Sequence, residues 1–177
     1  MTEQIVWRSP DSIILTRGSE PFGELLNMTR GFPINWGKMW KSSEALYQAA
    51  RFPDSEQIQE DIRASTNGFT AKLVAKANIS HTRDDWDDIR VAVMRQVLEA
   101  KYTQHKKIRE IIADTGTRDI VEQSKRDGFW GACQSDVARG WLGLNMLGQL
   151  WMDIRSGIPK QDERIYLPGA SLDAFFI

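Results

Sequence analysis

A run that follows Thr82 constrains the fold more than any other stretch: Trp86, Ile89, Val93, Val97 and Ala100 recur every three or four residues. That spacing lays a single apolar stripe along a helix of several turns. Asp84, Asp85, Asp87 and Asp88 crowd its start, where the helix dipole is positive and favours carboxylates. A helix so long and so apolar on one side needs a body to pack against, and the rest of the chain is expected to gather round it.

Shorter elements precede and follow it. Ile5-Val6-Trp7 and Ser12-Ile13-Ile14-Leu15-Thr16 are apolar or β-branched runs separated by Ser9-Pro10-Asp11, which reads as two strands joined by a turn. Gly31, Pro33 and Gly37 keep the next stretch loop-like. Ser42-Ser43 offers an N-cap to an alanine-rich helix through Glu44–Phe52 that ends at Pro53. Helical spacing gathers Glu44, Tyr47, Gln48 and Arg51 into one polar stripe suited to the wall of a cleft, with Leu46, Ala49 and Ala50 opposite. Asp54-Ser55-Glu56-Gln57 resembles a capping box for a second helix to about Ala64, and Asn67 caps a third to about Ala77. Ile108, Ile111 and Ile112 mark a further helix stopped at Thr115-Gly116. Asp119–Glu122 reads as a strand, the segment from Gly128 to Gly143 is glycine-rich, and Leu144, Leu147, Leu150, Trp151 and Ile154 pattern a last helix ending before Gly157 and Pro159. The expected fold is α+β: one compact, mainly helical domain over residues 1–177, with a small β-sheet and an aperiodic tail over 157–177.

Composition excludes several function classes. The chain of 177 residues carries 23 basic and 24 acidic residues, a formal charge of −1, which argues against an electrostatic binder of long nucleic acid. No apolar run reaches the roughly 20 residues of a membrane span, and Met1-Thr2-Glu3-Gln4 lacks the start of a secretory signal, so a cytoplasmic protein with no membrane partner is expected. Cys133 is the only cysteine and the two histidines, His81 and His105, lie far apart, so neither a structural metal nor a cofactor is expected. Core packing is the commoner fate of Cys133, with no histidine close in sequence to activate it. Core is likewise the expected place for most of the seven tryptophans. No G-x-x-x-x-G-K-[ST] or strand-bound G-x-G-x-x-G is present, which removes the kinase and dehydrogenase readings.

Three stretches are similar to motifs of the NADAR, or YbiA-like, N-glycosidases: Ser43-Glu44-Ala45-Leu46-Tyr47-Gln48-Ala49; Asp85-Trp86 leading to Met94 and Lys101; and Phe129-Trp130-Gly131 followed by Gly143-Leu144-Asn145-Met146-Leu147-Gly148. With Thr115-Gly116, Val121–Ser124 and Asp127 between them, they cover about residues 20 to 156. The resemblance implies a compact, mainly helical α+β domain and water-driven cleavage between a ribose carbon and a base nitrogen. It implies a small ribosylated, nucleotide-like substrate: ADP-ribosyl-guanine, including guanine in DNA, or a phosphoribosylamino-pyrimidine intermediate of riboflavin synthesis. Two departures bear on the pocket. Ala45-Leu46-Tyr47 stands where the family usually has His-Tyr-Phe, and Gly23–Met28 stands where a phenylalanine-rich version is commoner.

Breaking a ribosyl C–N bond builds positive charge on the sugar, so the reaction needs a carboxylate near that carbon and a means to place water. The resemblance assigns this catalytic role to Glu44; the alternative is a first-turn glutamate that complements the helix dipole. It assigns substrate contacts to Asn27, Tyr47, Gln48, Trp86, Lys101, Asp127, Trp130 and Asn145. Five of these have a plainer alternative: a core anchor for Trp86, a solvated basic surface for Lys101, a cap on the turn at Gly128 for Asp127, an N-cap for Asn145 and a turn for Asn27. Trp130 lies among glycines and polar residues rather than in a periodic apolar run, which favours a pocket wall. A module that binds NAD or ADP-ribose without cleaving it is the competing function.

Overall fold

A computed structural model describes residues 5–157. Along the chain run β1 (Val6–Trp7), β2 (Ile13–Leu15), β3 (Ile34–Trp36), β4 (Lys38–Trp40), α1 (Ser43–Ala49), α2 (Glu56–Ala64), α3 (Gly68–Ala77), α4 (Trp86–Gln104), α5 (Lys106–Asp114), β5 (Ile120–Ser124), β6 (Ala132–Ser135), β7 (Gly140–Leu142) and α6 (Met146–Ser156). The class is α+β, helix-rich with a small mixed sheet, as the pattern of the sequence implies. None of the described helices is long and apolar enough to cross a membrane. The described residues divide into two compact units, one of residues 5–26 with 106–157, the other of Asn27–His105.

The first unit is built on a sheet of order β1-β7-β6-β5-β2. Neighbours β1, β7 and β6 are antiparallel, whereas β6 with β5 and β5 with β2 are parallel. The two strands and the turn expected between them are present, with the Ser12 amide donating to the Ser9 carbonyl at 3.1 Å, but β1 and β2 do not pair; they lie at opposite edges. Burial explains the separation. Ile13 and Leu15 of β2 are buried against the apolar Ile120-Val121 of β5, the composition that parallel strands favour. Val6 and Trp7 of β1 are only half-buried. β6 and β7 fall in the glycine-rich segment, for which the sequence named no element. α6 packs on β5 and is closed at Gly157, whose φ of +63° forms the left-handed C-cap.

The second unit holds the long helix. α4 buries Trp86, Ile89, Val93, Val97 and Ala100, the stripe seen in the sequence, and continues one turn beyond it to Gln104. α1 packs on α2, α3 and α4 and is buried throughout. Its N-cap is Ser42, whose Oγ accepts from the Ala45 amide at 3.2 Å. α3 starts on a reciprocal capping box between Asn67 and Thr70. α2 is capped by Ser55, whose Oγ accepts from the Ile58 amide, and not by Asp54, the head of the expected box. The stretch around Gly31, Pro33 and Gly37, read as loop, contains an antiparallel hairpin: Ile34, Asn35 and Trp36 pair with Trp40, Met39 and Lys38 around Gly37 at φ +63°.

Tryptophan burial departs from expectation. Trp40, Trp86 and Trp151 are buried, but Trp7, Trp36, Trp130 and Trp141 are only half-buried. An indole is large and carries one N–H that needs an acceptor, so many sit with an edge at the surface. Trp7 and Trp151 meet that need within the first unit through the carbonyls of Gly143 and Leu25. Cys133, expected in the core, is half-buried on β6.

Candidate functional site

The polar stripe of α1 is a file of bonded side chains. Glu44 is 6% exposed and Gln48, one turn on, is 4% exposed. Gln48 Nε2 donates to Glu44 Oε1 at 2.8 Å, and Arg51 Nη1 donates to Gln48 Oε1 at 3.2 Å. Glu44 and Gln48 stand one turn apart on a face of α1; the helix ends at Ala49, short of the expected Phe52, and Arg51 reaches back to Gln48 from the turn that follows. A carboxylate taken out of water needs such donors, since burial without them favours its neutral form. Burial pushes the Arg51 guanidinium below its ordinary value, while Tyr47, Asp87 and Glu44 act to raise it and Arg90 to lower it.

Aromatic rings flank this file. Tyr47 and Trp86 lie with ring centroids 5.0 Å apart and planes tilted by 51°. The Arg51 guanidinium carbon is 5.4 Å from the Trp86 ring centroid, within cation–π range. Trp86 is thus buried at the head of α4, as the core reading had it, and also packed on Tyr47 of α1.

Asn27 and Gly68 bracket Glu44 from the backbone side. The Glu44 amide donates to the Asn27 carbonyl at 3.2 Å. The Asn27 side chain is buried; its Nδ2 lies 3.1 Å from Met94 Sδ, and its Oδ1 has no hydrogen-bond partner among the described residues. A Cβ at Gly68 would stand 3.0 Å from Met28 Cα and 3.1 Å from Glu44 Cβ, so a side chain there would crowd Met28 and the stem of Glu44. Lys101 is fully buried, with Nζ 5.4 Å from the Phe32 ring centroid, and is no part of a solvated basic surface.

The structure therefore joins Glu44, Gln48 and Asn27 by hydrogen bonds and Tyr47 to Trp86 by ring contact, all within the unit of residues 27–105. Asp127, Trp130 and Asn145 belong to the other unit. There, Asp127 Oδ1 accepts from the Phe129 and Trp130 amides, both at 2.9 Å, which is the turn-capping role. Trp130 is half-buried and meets Phe129 edge to face, 5.1 Å between centroids. Asn145 does not cap α6; its buried amide bonds β5, with Oδ1 accepting from the Glu122 amide and Nδ2 donating to the Ile120 carbonyl. Arg51 was not singled out as a site residue in the sequence. Its place seven residues after Glu44 on the same stripe was the available signal.

A buried carboxylate held by an amide, with flat aromatic faces beside it, suits an enzyme whose substrate gains positive charge as a bond to a ring breaks. The NADAR domain matches residues 17–159, and the chain belongs to that family. It is 33% identical over 138 residues to N-glycosidase YbiA of Escherichia coli, covering 77% of this chain and 82% of that one. It is 34% identical over 142 residues to an N-glycosidase of Nostoc punctiforme, covering 78% and 87%. A riboflavin biosynthesis protein of Vibrio vulnificus is 34% identical over 124 residues, 70% of this chain but 32% of that much longer one. The NMR structure of the E. coli protein YbiA superposes with a TM-score of 0.69 at 28% identity, covering 85% of this chain and 88% of that one.

Proposed function

We propose that this protein hydrolyses the N-glycosidic bond of a ribosylated base, with Glu44 as the catalytic carboxylate. The setting of Glu44 carries the reading: a buried carboxylate on the motif-bearing helix, one oxygen held by the Gln48 amide, beside the Tyr47–Trp86 pair. As the bond from C1′ to the base nitrogen lengthens, positive charge grows on the ribose, and a carboxylate at fixed distance stabilises it without reorganising. Glu44 also accepts one proton of the attacking water as its oxygen bonds to C1′, and gives that proton back to the nitrogen that departs with the electron pair of the broken bond. Tyr47 and Trp86 offer the flat surfaces on which a purine or pyrimidine packs.

Both substrates implied by the family resemblance fit this chemistry. The phosphoribosylamino-pyrimidine has the added support that the Vibrio relative is named for riboflavin biosynthesis. A formal charge of −1 also suits a small nucleotide better than extended DNA carrying ADP-ribosyl-guanine.

The decisive experiment incubates the protein and its Glu44→Gln variant separately with a phosphoribosylamino-pyrimidine and with ADP-ribosyl-guanine, and follows released base by mass-detected chromatography. The wild type is expected to release base from one of them, and Glu44→Gln to release it at least about 100-fold more slowly, the usual scale for a lost general base. Undiminished turnover by a folded Glu44→Gln protein would remove Glu44 from the chemistry. Stoichiometric binding without release would replace the enzyme with a module that holds NAD or ADP-ribose.

A further inference from the structure

Arg51 plays no part in the reaction as set out above, yet it is tied to Glu44 through a single amide. Oxygen and nitrogen of a glutamine side chain are alike in shape, and only the groups around them decide which way the amide points. Gln48 lies between a carboxylate and a guanidinium, at 2.8 and 3.2 Å. The guanidinium offers N–H donors and no acceptor, so the Gln48 oxygen must face Arg51 and its NH2 must face Glu44. The reversed amide would set nitrogen against nitrogen at Arg51, and would put an oxygen against Glu44 that only a protonated carboxyl could satisfy. At 4% exposure Gln48 has little water with which to compensate a wrong orientation.

Arg51 is itself held for this purpose. Its guanidinium packs over the Trp86 ring, which is braced in turn by Tyr47. Asp87 and Arg90 of α4, with Tyr47 and Glu44 of α1, are the ionisable groups whose fields reach it.

We propose that Arg51 is a positioning residue: by fixing the direction of the Gln48 amide, it presents Glu44 to the reaction as a carboxylate, the form that takes a proton from water. The kinetic half of this inference rests on the glycosidase reading; the direction of the amide does not. Arg51 need not touch substrate, which separates it from a residue that grips a phosphate.

The test has two readouts. In ¹⁵N-labelled protein, the Gln48 side-chain amide resonances, assigned by their absence in Gln48→Met, are expected to move on Glu44→Gln. They should also move on Arg51→Met and on Arg51→Gln, which can itself offer an oxygen to the amide, and return towards the wild type in Arg51→Lys. With the substrate that the wild type turns over, Arg51→Met and Arg51→Gln are expected to lose on the order of 10- to 100-fold in kcat, the scale of a misplaced catalytic group, while KM changes by less than about 3-fold. Arg51→Lys should recover most of the loss, and Arg51→Met should add little to Gln48→Met in the double variant. Unmoved Gln48 resonances in either folded neutral variant overturn the proposal. So does a raised KM at constant kcat with additive effects, the behaviour of a direct substrate contact. A wild type that releases no base sinks the glycosidase reading instead, and the amide resonances still decide the role of Arg51.

Discussion

Asn145 sits at a backbone φ of +53° and is fully buried, two conditions that asparagine tolerates together better than most residues. Its side-chain amide imitates a neighbouring strand, meeting the Glu122 N–H at 2.9 Å and the Ile120 carbonyl at 2.8 Å. Asn145→Ala would leave a donor and an acceptor of β5 unpaired in the interior and place alanine at a positive φ. A loss of about 2–4 kcal/mol in stability is expected from the two unmet groups, read as a lower urea midpoint with an unchanged slope. Asn145→Gly should recover only the backbone part, a few tenths to about 1 kcal/mol. A midpoint equal to the wild type in Asn145→Ala would show that β5 does not depend on this amide. Neither partner could be read from the chain, because both lie more than twenty positions upstream of Asn145 and local capping was the only role its neighbours suggested. Glu44, Gln48 and Arg51 were legible for the opposite reason: they are three and four residues apart on α1 and the turn that closes it, where sequence spacing is still spatial spacing.

The hairpin and the helix after α1 are linked by charge. Lys38 on β4 reaches Glu60 on α2 at 2.7 Å and Glu56 at 3.5 Å, and Arg63 approaches the other oxygen of Glu60 at 2.5 Å. Hydrogen bonds from Arg63, then from Lys38, hold the Glu60 carboxyl down to about 2. Its folded value is thus below its unfolded one, near 4.3, so its contribution is fully present above that pH and is lost as pH falls towards 2. The melting temperature is expected to drop more between about pH 4.5 and 2 in the wild type than in Glu60→Gln, and the difference to shrink in high salt because the groups are partly exposed. Parallel profiles for the two proteins would remove Glu60 from the acid response. The partners of this network also divide what was legible from what was not. α2 carried its signature in the chain, with a serine cap and apolar Ile58 and Ile62 four residues apart. β4, like β3, β6 and β7, is three or four residues long and is defined by its partner strand. They lack the continuous apolar run that marked the equally short β2, and without it no alternation of that length rises above loop composition.

The family match over residues 17–159 runs through both compact units, but the units use the chain differently. Asn27–His105 is continuous and carries Glu44, Gln48, Arg51 and Trp86. The other unit is interrupted: β2 pairs Ile13 with Ile120, and Trp151 donates to the Leu25 carbonyl. That arrangement sets a timetable for the nascent polypeptide. The segment with the Glu44 file can leave the ribosome with its described partners, from Asn27 to Trp86, already made, whereas β2, though translated earlier, has no strand to pair with until β5 has emerged. Ribosomes stalled with β5 still unsynthesised should therefore carry an N-terminal stretch over residues 5–26 that protease cuts readily, and the same stretch should resist cleavage once α6 has cleared the exit tunnel. Equal resistance at both stages would mean that some other contact shelters β2. Residues 5–26, made before the helix bearing the carboxylate, are shut in after it.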